Sequence, residues 1–128
     1  MFDLVTRLNE ECGVRLPEKD DQDWEFCAGD YTRTEDYIEF YKKYSDEMDS
    51  NRWGDKELLS NMIIQGLDDM LSNTHDNDHI DKLWLETRKI LLDDELYNVI
   101  VYWSCVGQPA EYCFLITPRM RELLRELI

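Results

Sequence analysis

The chain is poor in the residues that most often carry chemistry. Its 128 residues include two histidines, five glycines and three prolines. The glycines stand apart at 13, 29, 54, 66 and 107, so there is no Gly-rich loop to cradle a phosphate. Both histidines lie in one polar stretch, THDNDHID at 74–81, leaving none elsewhere to activate a Ser or Cys. Ser104, in YWSCV, lacks the flanking glycines of a nucleophile elbow. No apolar run approaches the roughly 20 residues of a membrane span. The opening MFDLVTRLNEEC has neither the basic start nor the apolar centre of an export signal, so the expected location is cytoplasmic. The four cysteines, Cys12, Cys27, Cys105 and Cys113, show no C-x-x-C spacing. They are expected to be reduced thiols packed in the core rather than a zinc site.

Positive charge is the other scarcity. Lys and Arg total 14 against 29 Asp and Glu, a net charge of −15. The imbalance is concentrated in residues 1–81, with 22 acidic and 8 basic side chains; residues 82–128 hold 7 and 6. Such a surface disfavours direct contact with nucleic acid or an anionic membrane, both of which need basic residues. It favours solubility, or a basic protein partner drawn in by long-range attraction.

Hydrophobic residues make up 43% of the chain, with 4 Trp, 7 Tyr and 4 Phe. That supports one folded domain over residues 1–128 rather than a disordered acidic tail. Apolar residues recur at helical spacing along most of it. Leu4, Val5, Leu8 and Cys12 share a face and Gly13 follows as a stop. Tyr37, Phe40, Tyr41 and Tyr44 form a second stripe, capped by Thr34. Asp55 is expected to cap a third helix lined by Leu59, Met62, Ile63, Leu67, Met70 and Leu71, with Gly66 inside it at a cost of about 1 kcal/mol relative to Ala; a close packing contact would explain that glycine. Asp78 is the expected cap of a fourth helix, with Ile80, Leu83, Trp84, Thr87 and Leu91 on one face. Thr117-Pro118 opens a last helix carrying Met120, Leu123, Leu124 and Leu127, and its Arg119, Arg121 and Arg125 can dock on acidic parts of the chain. Residues 13–33 read as a long connection, with a short extended piece at WEFCA.

Residues 96–116 are ambiguous. Asp93 or Asp94 can cap a helix over Leu96, Val99, Ile100 and Trp103 that ends at Gly107. The same residues are good strand formers and can pair with EYCFLIT as a hairpin. The framing cap and stop favour the helix. The expected fold is therefore mainly α, a compact bundle of about five to six helices, with an α+β alternative carrying a C-terminal hairpin at about 96–116.

His75 and His79 are four apart among Asp76, Asp78 and Asp81, which raises the question of a metal. Histidines so spaced face one ion only on a continuous helix, and here the helix is expected to begin between them. No metal, cofactor or catalytic residue is therefore assigned, and the chain is not read as an enzyme. The stronger pattern is acid interleaved with aromatics over residues 18–40. Candidate partner-binding residues are Asp20, Asp21, Asp23, Trp24, Glu25, Asp30, Tyr31, Glu35, Asp36 and Glu39, joined by Trp53 in a second polar loop. Trp and Tyr are favoured interface anchors, and charged rims set encounter rate and partner choice.

In size, acidity and aromatic content the chain is similar to the small acidic immunity proteins and nuclease inhibitors of bacteria. That similarity rests on general character, and no residue role is taken from it. It points to a cytoplasmic protein that neutralises a basic toxin or nuclease by occluding its active site. Three other readings stand beside it: a nucleic-acid mimic that blunts a DNA-handling enzyme, a metal-dependent enzyme using His75 and His79, and a helical adaptor subunit.

Overall fold

A computed structural model describes residues 2–13 and 30–127. Among them are six α-helices and no strand: α1 (Leu4–Cys12), α2 (Thr34–Tyr44), α3 (Asp55–Asn73), α4 (Asn77–Asp93), α5 (Tyr97–Ser104) and α6 (Thr117–Glu126). Short 3-10 turns at Tyr31–Arg33 and Ala110–Tyr112 precede α2 and α6. The fold is mainly α, and the hairpin alternative is overturned. The chain divides into two compact units, Met1–Gly66 and Leu67–Ile128.

In the first unit, Asp3 caps α1 by accepting the Thr6 N–H, and Gly13 closes it in the left-handed region at φ 65°. Its inner face, Leu4, Leu8 and Cys12, is buried. The second stripe, Tyr37, Phe40, Tyr41 and Tyr44, is buried throughout, and Ile38, not part of it, is buried as well. Phe2 joins it, stacking on Tyr44 at 5.5 Å between ring centroids. Thr34 is not the cap of α2 but its first residue; Arg33, at φ −112° and ψ 14°, takes the cap position without a side-chain hydrogen bond. The Thr34 hydroxyl donates to the Tyr31 carbonyl at 2.7 Å and is buried. Asp55 is likewise the first residue of α3 rather than its cap. Gly66 explains itself here: a Cβ built on it would lie 2.3 Å from Thr34 Oγ1 and 3.3 Å from Thr34 Cβ and Cγ2. The glycine lets Thr34 sit against α3.

In the second unit, Asp76 rather than Asp78 caps α4, accepting the His79 N–H at 3.1 Å. The stretch holds three acidic residues able to cap, and the apolar stripe beginning at Ile80 does not discriminate among starts one or two residues apart. The predicted inner face of Ile80, Leu83, Trp84, Thr87 and Leu91 is buried. Asp93 and Asp94 do not start α5. Asp93 ends α4, and Asp94 closes it by donating its N–H to Ile90. Glu95 then turns left-handed at φ 54°, and buried Leu96 pins the corner, so α5 begins only at Tyr97. Burial of Leu96 outweighs the dipole preference that would place acids at a helix start. The end of α5 also differs from expectation. Cys105, at φ 53°, ends it two residues before Gly107.

The cysteines need the largest correction. Cys12 is a buried free thiol as expected, but Cys105 and Cys113 are paired as a disulfide with Cα atoms 6.1 Å apart. The left-handed step at Cys105, a second at Gly107 (φ 86°) and the 3-10 turn at Ala110–Tyr112 bring the chain back over eight residues. No spacing motif announces such a return. Cys27 lies outside the described residues.

Replacing Gly66 by Ala is expected to gain about 1 kcal/mol of helix propensity and to lose more through the clash, for a net destabilisation of about 1–2 kcal/mol. The check is urea unfolding of Gly66→Ala, Thr34→Ala and the double variant. In the double variant the clashing hydroxyl and methyl are gone, so the two changes should cost less together than their sum. Strict additivity would mean that the Gly66–Thr34 contact is not what selects glycine.

Candidate interaction surfaces

The predicted partner-binding residues separate into groups. Asp20, Asp21, Asp23, Trp24 and Glu25 lie outside the described residues, as does the proposed extended piece. Asp30 and Tyr31 turn out to build the entry to α2. The Asp30 carboxylate accepts from the backbone and hydroxyl of Thr32, which holds its pKa below the usual carboxylate range. The Asp30 N–H donates to the Tyr37 hydroxyl at 3.0 Å, and Tyr31 offers its carbonyl to Thr34.

Glu35, Asp36 and Glu39 are exposed on the outer side of α2. Asp36 and Glu39 line a shallow groove of about 460 Å³ with Glu11, Arg33 and Lys43, and Cys12 and Phe40 lie deeper. Its walls carry both signs of charge. Arg33 reaches Asp36 at 3.5 Å, Lys42 reaches Glu39 at 3.4 Å, and Lys43 reaches Glu11 at 2.7 Å. Such exposed pairs contribute little to stability, but they temper the negative field of this face. Burial pushes the Cys12 thiol above its ordinary value, so the sulfur in the groove is held neutral and weakly nucleophilic.

Trp53 is elsewhere and is not among the groove residues. It is 68% exposed, at the tip of the turn between α2 and α3. The turn is firmly built. Met48 anchors its start in the core. Asp49 accepts the Asn51 N–H at 2.7 Å, and its own N–H donates to Asp55 at 3.4 Å. Gly54 closes back on the Asn51 carbonyl at 2.8 Å. Trp53 itself sits at φ 64°, a conformation unfavourable for a bulky side chain. Its N–H is held there by the carboxylate of buried Glu57 at 3.1 Å. The indole is thus displayed by design of the turn. Arg52 lies over the ring, 5.7 Å from its centroid. Asp46, Glu47 and Asp49, in the same segment, are exposed carboxylates.

His75 and His79 are exposed or half-exposed, and the α4 start at Asn77 falls between them. Among the described residues no three His, Cys, Asp or Glu side chains gather in a way that could hold a metal ion.

A surface not anticipated from the sequence lies on the second unit. Helix α5 buries Val99, Ile100, Trp103 and Ser104 but exposes Tyr97, Val101 and Tyr102. Val106, Tyr112 and Leu115 in the following turn are exposed as well, Tyr112 at 75%. Ring contacts and covalent links join these residues. Phe114 packs on both Trp103 (4.5 Å) and Tyr102 (6.0 Å), and the disulfide ties the neighbours of Val106 and Tyr112. The signal was present in YNVIVYWSCV, which is apolar on every helical face, a pattern that marks a helix with more than one covered side.

Three side chains hold this turn. Thr117 donates its hydroxyl to the Trp103 carbonyl at 2.9 Å and accepts the Phe114 N–H at 3.2 Å. Arg121 donates to the carbonyls of Ser104, Cys105 and Gln108 at 2.8–2.9 Å. Asp68 of α3 accepts the Ile116 N–H at 3.0 Å and also the Leu115 N–H. The other arginines behave differently: Arg119 pairs with Asp81 of α4 at 2.9 Å, and Glu126 of α6 pairs with Arg88.

Asp68 is half-buried. Burial raises its pKa, and the two N–H donors only partly offset that. A carboxyl whose folded pKa exceeds its unfolded value stabilises the protein below the unfolded value and loses that contribution as pH rises through the folded one. Asp68→Asn keeps an oxygen for the N–H groups and removes the buried charge. It is expected to match or exceed the parent's stability at pH 7, with the advantage shrinking towards pH 4. Asp68→Ala loses the acceptor and is expected to cost about 1 kcal/mol or more at both pH values. Thermal melts of the three proteins at pH 4 and pH 7 provide the check; a larger advantage for the Asn variant at pH 4 than at pH 7 would contradict the assignment.

No membrane-spanning helix is present among the described residues: none is long and apolar enough. Comparison with protein-family models, curated proteins and solved structures found no match, so the reading of these surfaces rests on their own chemistry.

Proposed function

We propose that the chain is a protein-binding inhibitor that recognises a basic partner, of the kind represented by a toxin or nuclease, and covers its active site. The observation that carries this reading is the Trp53 turn. A large aromatic is held exposed in an unfavourable backbone conformation by hydrogen bonds to Asp49, Asp55 and Glu57 side chains or their neighbours. Ordering cost is a main penalty of association, and a pre-set indole avoids much of it. Exposed Asp46 and Glu47 in the same segment, and Glu35, Asp36 and Glu39 on α2 away from the indole, give the unit a negative field that attracts a basic surface. Against phosphate-binding groups of a nuclease, such carboxylates occupy the sites that nucleic acid would take. A mixed-sign groove on α2 argues against a regular row of phosphate-like charges, which disfavours the nucleic-acid mimic.

One observation supports a second reading. The exposed apolar side chains of α5 and its following turn resemble the contact face of a helical adaptor.

The two readings are separated by affinity capture from source-cell lysate followed by kinetics on the identified protein. The inhibitor reading expects a basic enzyme whose activity is blocked. Its association rate should fall at least tenfold between about 50 and 300 mM salt, as screening dictates. Trp53→Ala should weaken binding by roughly tenfold or more, as for an interface anchor, with the circular dichroism spectrum unchanged. A partner insensitive to salt and to Trp53→Ala, but lost on Val106→Ser/Tyr112→Ser, would reject inhibition through Trp53 in favour of the adaptor.

A further inference from the structure

Cys105 and Cys113 are the only cysteines among the described residues that are partly exposed; Cys12 is buried and its thiol is pushed up by burial. Their surroundings differ from those of a passive staple. The guanidinium of Arg121 lies 3.7 Å from Cys113 Sγ. It is held there by the carbonyls of Ser104, Cys105 and Gln108 at 2.8, 2.9 and 2.9 Å. Of the three acceptors, Cys105 and Gln108 lie in the loop the disulfide closes, while Ser104 lies outside it at the end of α5, so the cation keeps that support when the link is open. A fixed positive charge beside a sulfur stabilises its thiolate, both as nucleophile and as leaving group. The carbonyls of Pro109, 3.3 Å from the same sulfur, and of Cys105, at 3.9 Å, hold the reduced side chain in register by accepting from its S–H, and so oppose Arg121 by favouring the neutral thiol. Arg125 lies one turn further along α6, on the same side of the helix as Arg121. Exposed Glu111, Glu122 and Glu126 lie in the same region, with Glu126 paired to Arg88, so the attraction for a co-reactant's carboxylate is local to Arg121 and Arg125.

We propose that Cys105 and Cys113 form a reversible thiol–disulfide exchange site, with Cys113 as the entry sulfur and an anionic small-molecule disulfide of the glutathione type as oxidant. In the forward direction the Cys113 thiolate attacks one sulfur of glutathione disulfide. That S–S bond breaks, one glutathione leaves as thiolate and takes a proton, and a mixed disulfide remains on Cys113. The Cys105 thiol gives its proton to solvent and its sulfur attacks Cys113 Sγ. The bond to glutathione breaks and a second glutathione leaves. The protein loses two electrons and two protons, and glutathione disulfide becomes two glutathiones. The reverse uses two glutathiones as reductant. Val106 and Tyr112 adjoin the two cysteines and are among the most exposed apolar residues, so the redox state sets how tightly that surface is held.

The test uses the full chain, reduced with dithiothreitol, desalted and equilibrated in glutathione buffers of varied composition. After acid quenching and alkylation, peptide mass mapping reads the state of each cysteine. The expected result is a 105–113 link whose population follows the glutathione ratio from both directions, while Cys12 stays a free thiol. In Cys105→Ser, glutathione should be retained on Cys113, and the pH midpoint of its reaction should lie below the roughly 8.5 of an unperturbed thiol. Arg121→Gln in that background should slow the reaction about fivefold or more and raise the midpoint, with Arg121→Lys restoring part of it. If Arg121→Gln fails to fold by circular dichroism, the midpoint of Cys105→Ser alone decides. A link that neither forms nor opens in any glutathione buffer, an adduct on Cys12 in preference to Cys113, or a midpoint at or above 8.5 would overturn the proposal.

Discussion

Unpaired backbone groups at helix ends are the constraint on which this structure turns. Each helix leaves about four N–H and four C=O groups without intrahelical partners. With helices of 8–19 residues, those ends are a large share of the backbone. The chain meets the constraint in two ways. Local side chains close some ends: Asp3 and Asp76 accept at the starts of α1 and α4, and Gly13 finishes α1. Distant side chains close others. Asp68 reaches the entry to α6 across 48 residues of sequence, and Arg121 reaches back to the exit of α5. In the second unit this long-range capping holds Trp103 and Phe114 in contact and fixes the turn between α5 and α6.

The same arrangement sets what the second unit presents to solvent. Because Arg121, Thr117 and Asp68 satisfy the polar backbone from inside, apolar side chains can face outward without leaving buried polar groups unpaired. In the first unit the polarity is reversed. The core takes the aromatic stripe of α2, and the described surface is left acidic, with Trp53 displayed on a turn whose backbone is bonded by Asp49, Asp55 and Glu57. Asp49 and Glu57 look like surface charge by composition, yet each has a hydrogen-bonding task. Net charge therefore overstates the number of carboxylates available to a partner, and the pairs on α2 reduce it further.

Much of the architecture was legible in order of residues alone. The helical stripes of α1 to α4 and α6 were for the most part, because period-3.6 burial needs only a one-sided core; Val5, Leu71 and Leu124 are only half-buried, and Leu127 is exposed past the end of α6. Element starts were less legible. Several acids in a row at 76–81 and at 93–94 offer equivalent caps, and a buried leucine at 96 decided the second case. The position of Trp53 in a polar loop is readable from the sequence; its exposure follows from the hydrogen bonds of the turn, which the sequence does not spell out. The surface on α5 is not legible in the sequence, because an all-round apolar segment reads equally as a buried helix or a strand.

What the sequence by itself determined is the helical class, the strong negative charge, and which face of most helices turns inward, since local periodicity and composition suffice for these. What only the tertiary structure decided is the pairing of Cys105 with Cys113, the closeness of Gly66 to Thr34, the distant caps of Asp68 and Arg121, and which aromatics stay in water. Each of these depends on bringing together residues far apart in the chain or on the left-handed backbone steps that turn it, and no local pattern of residue types encodes either.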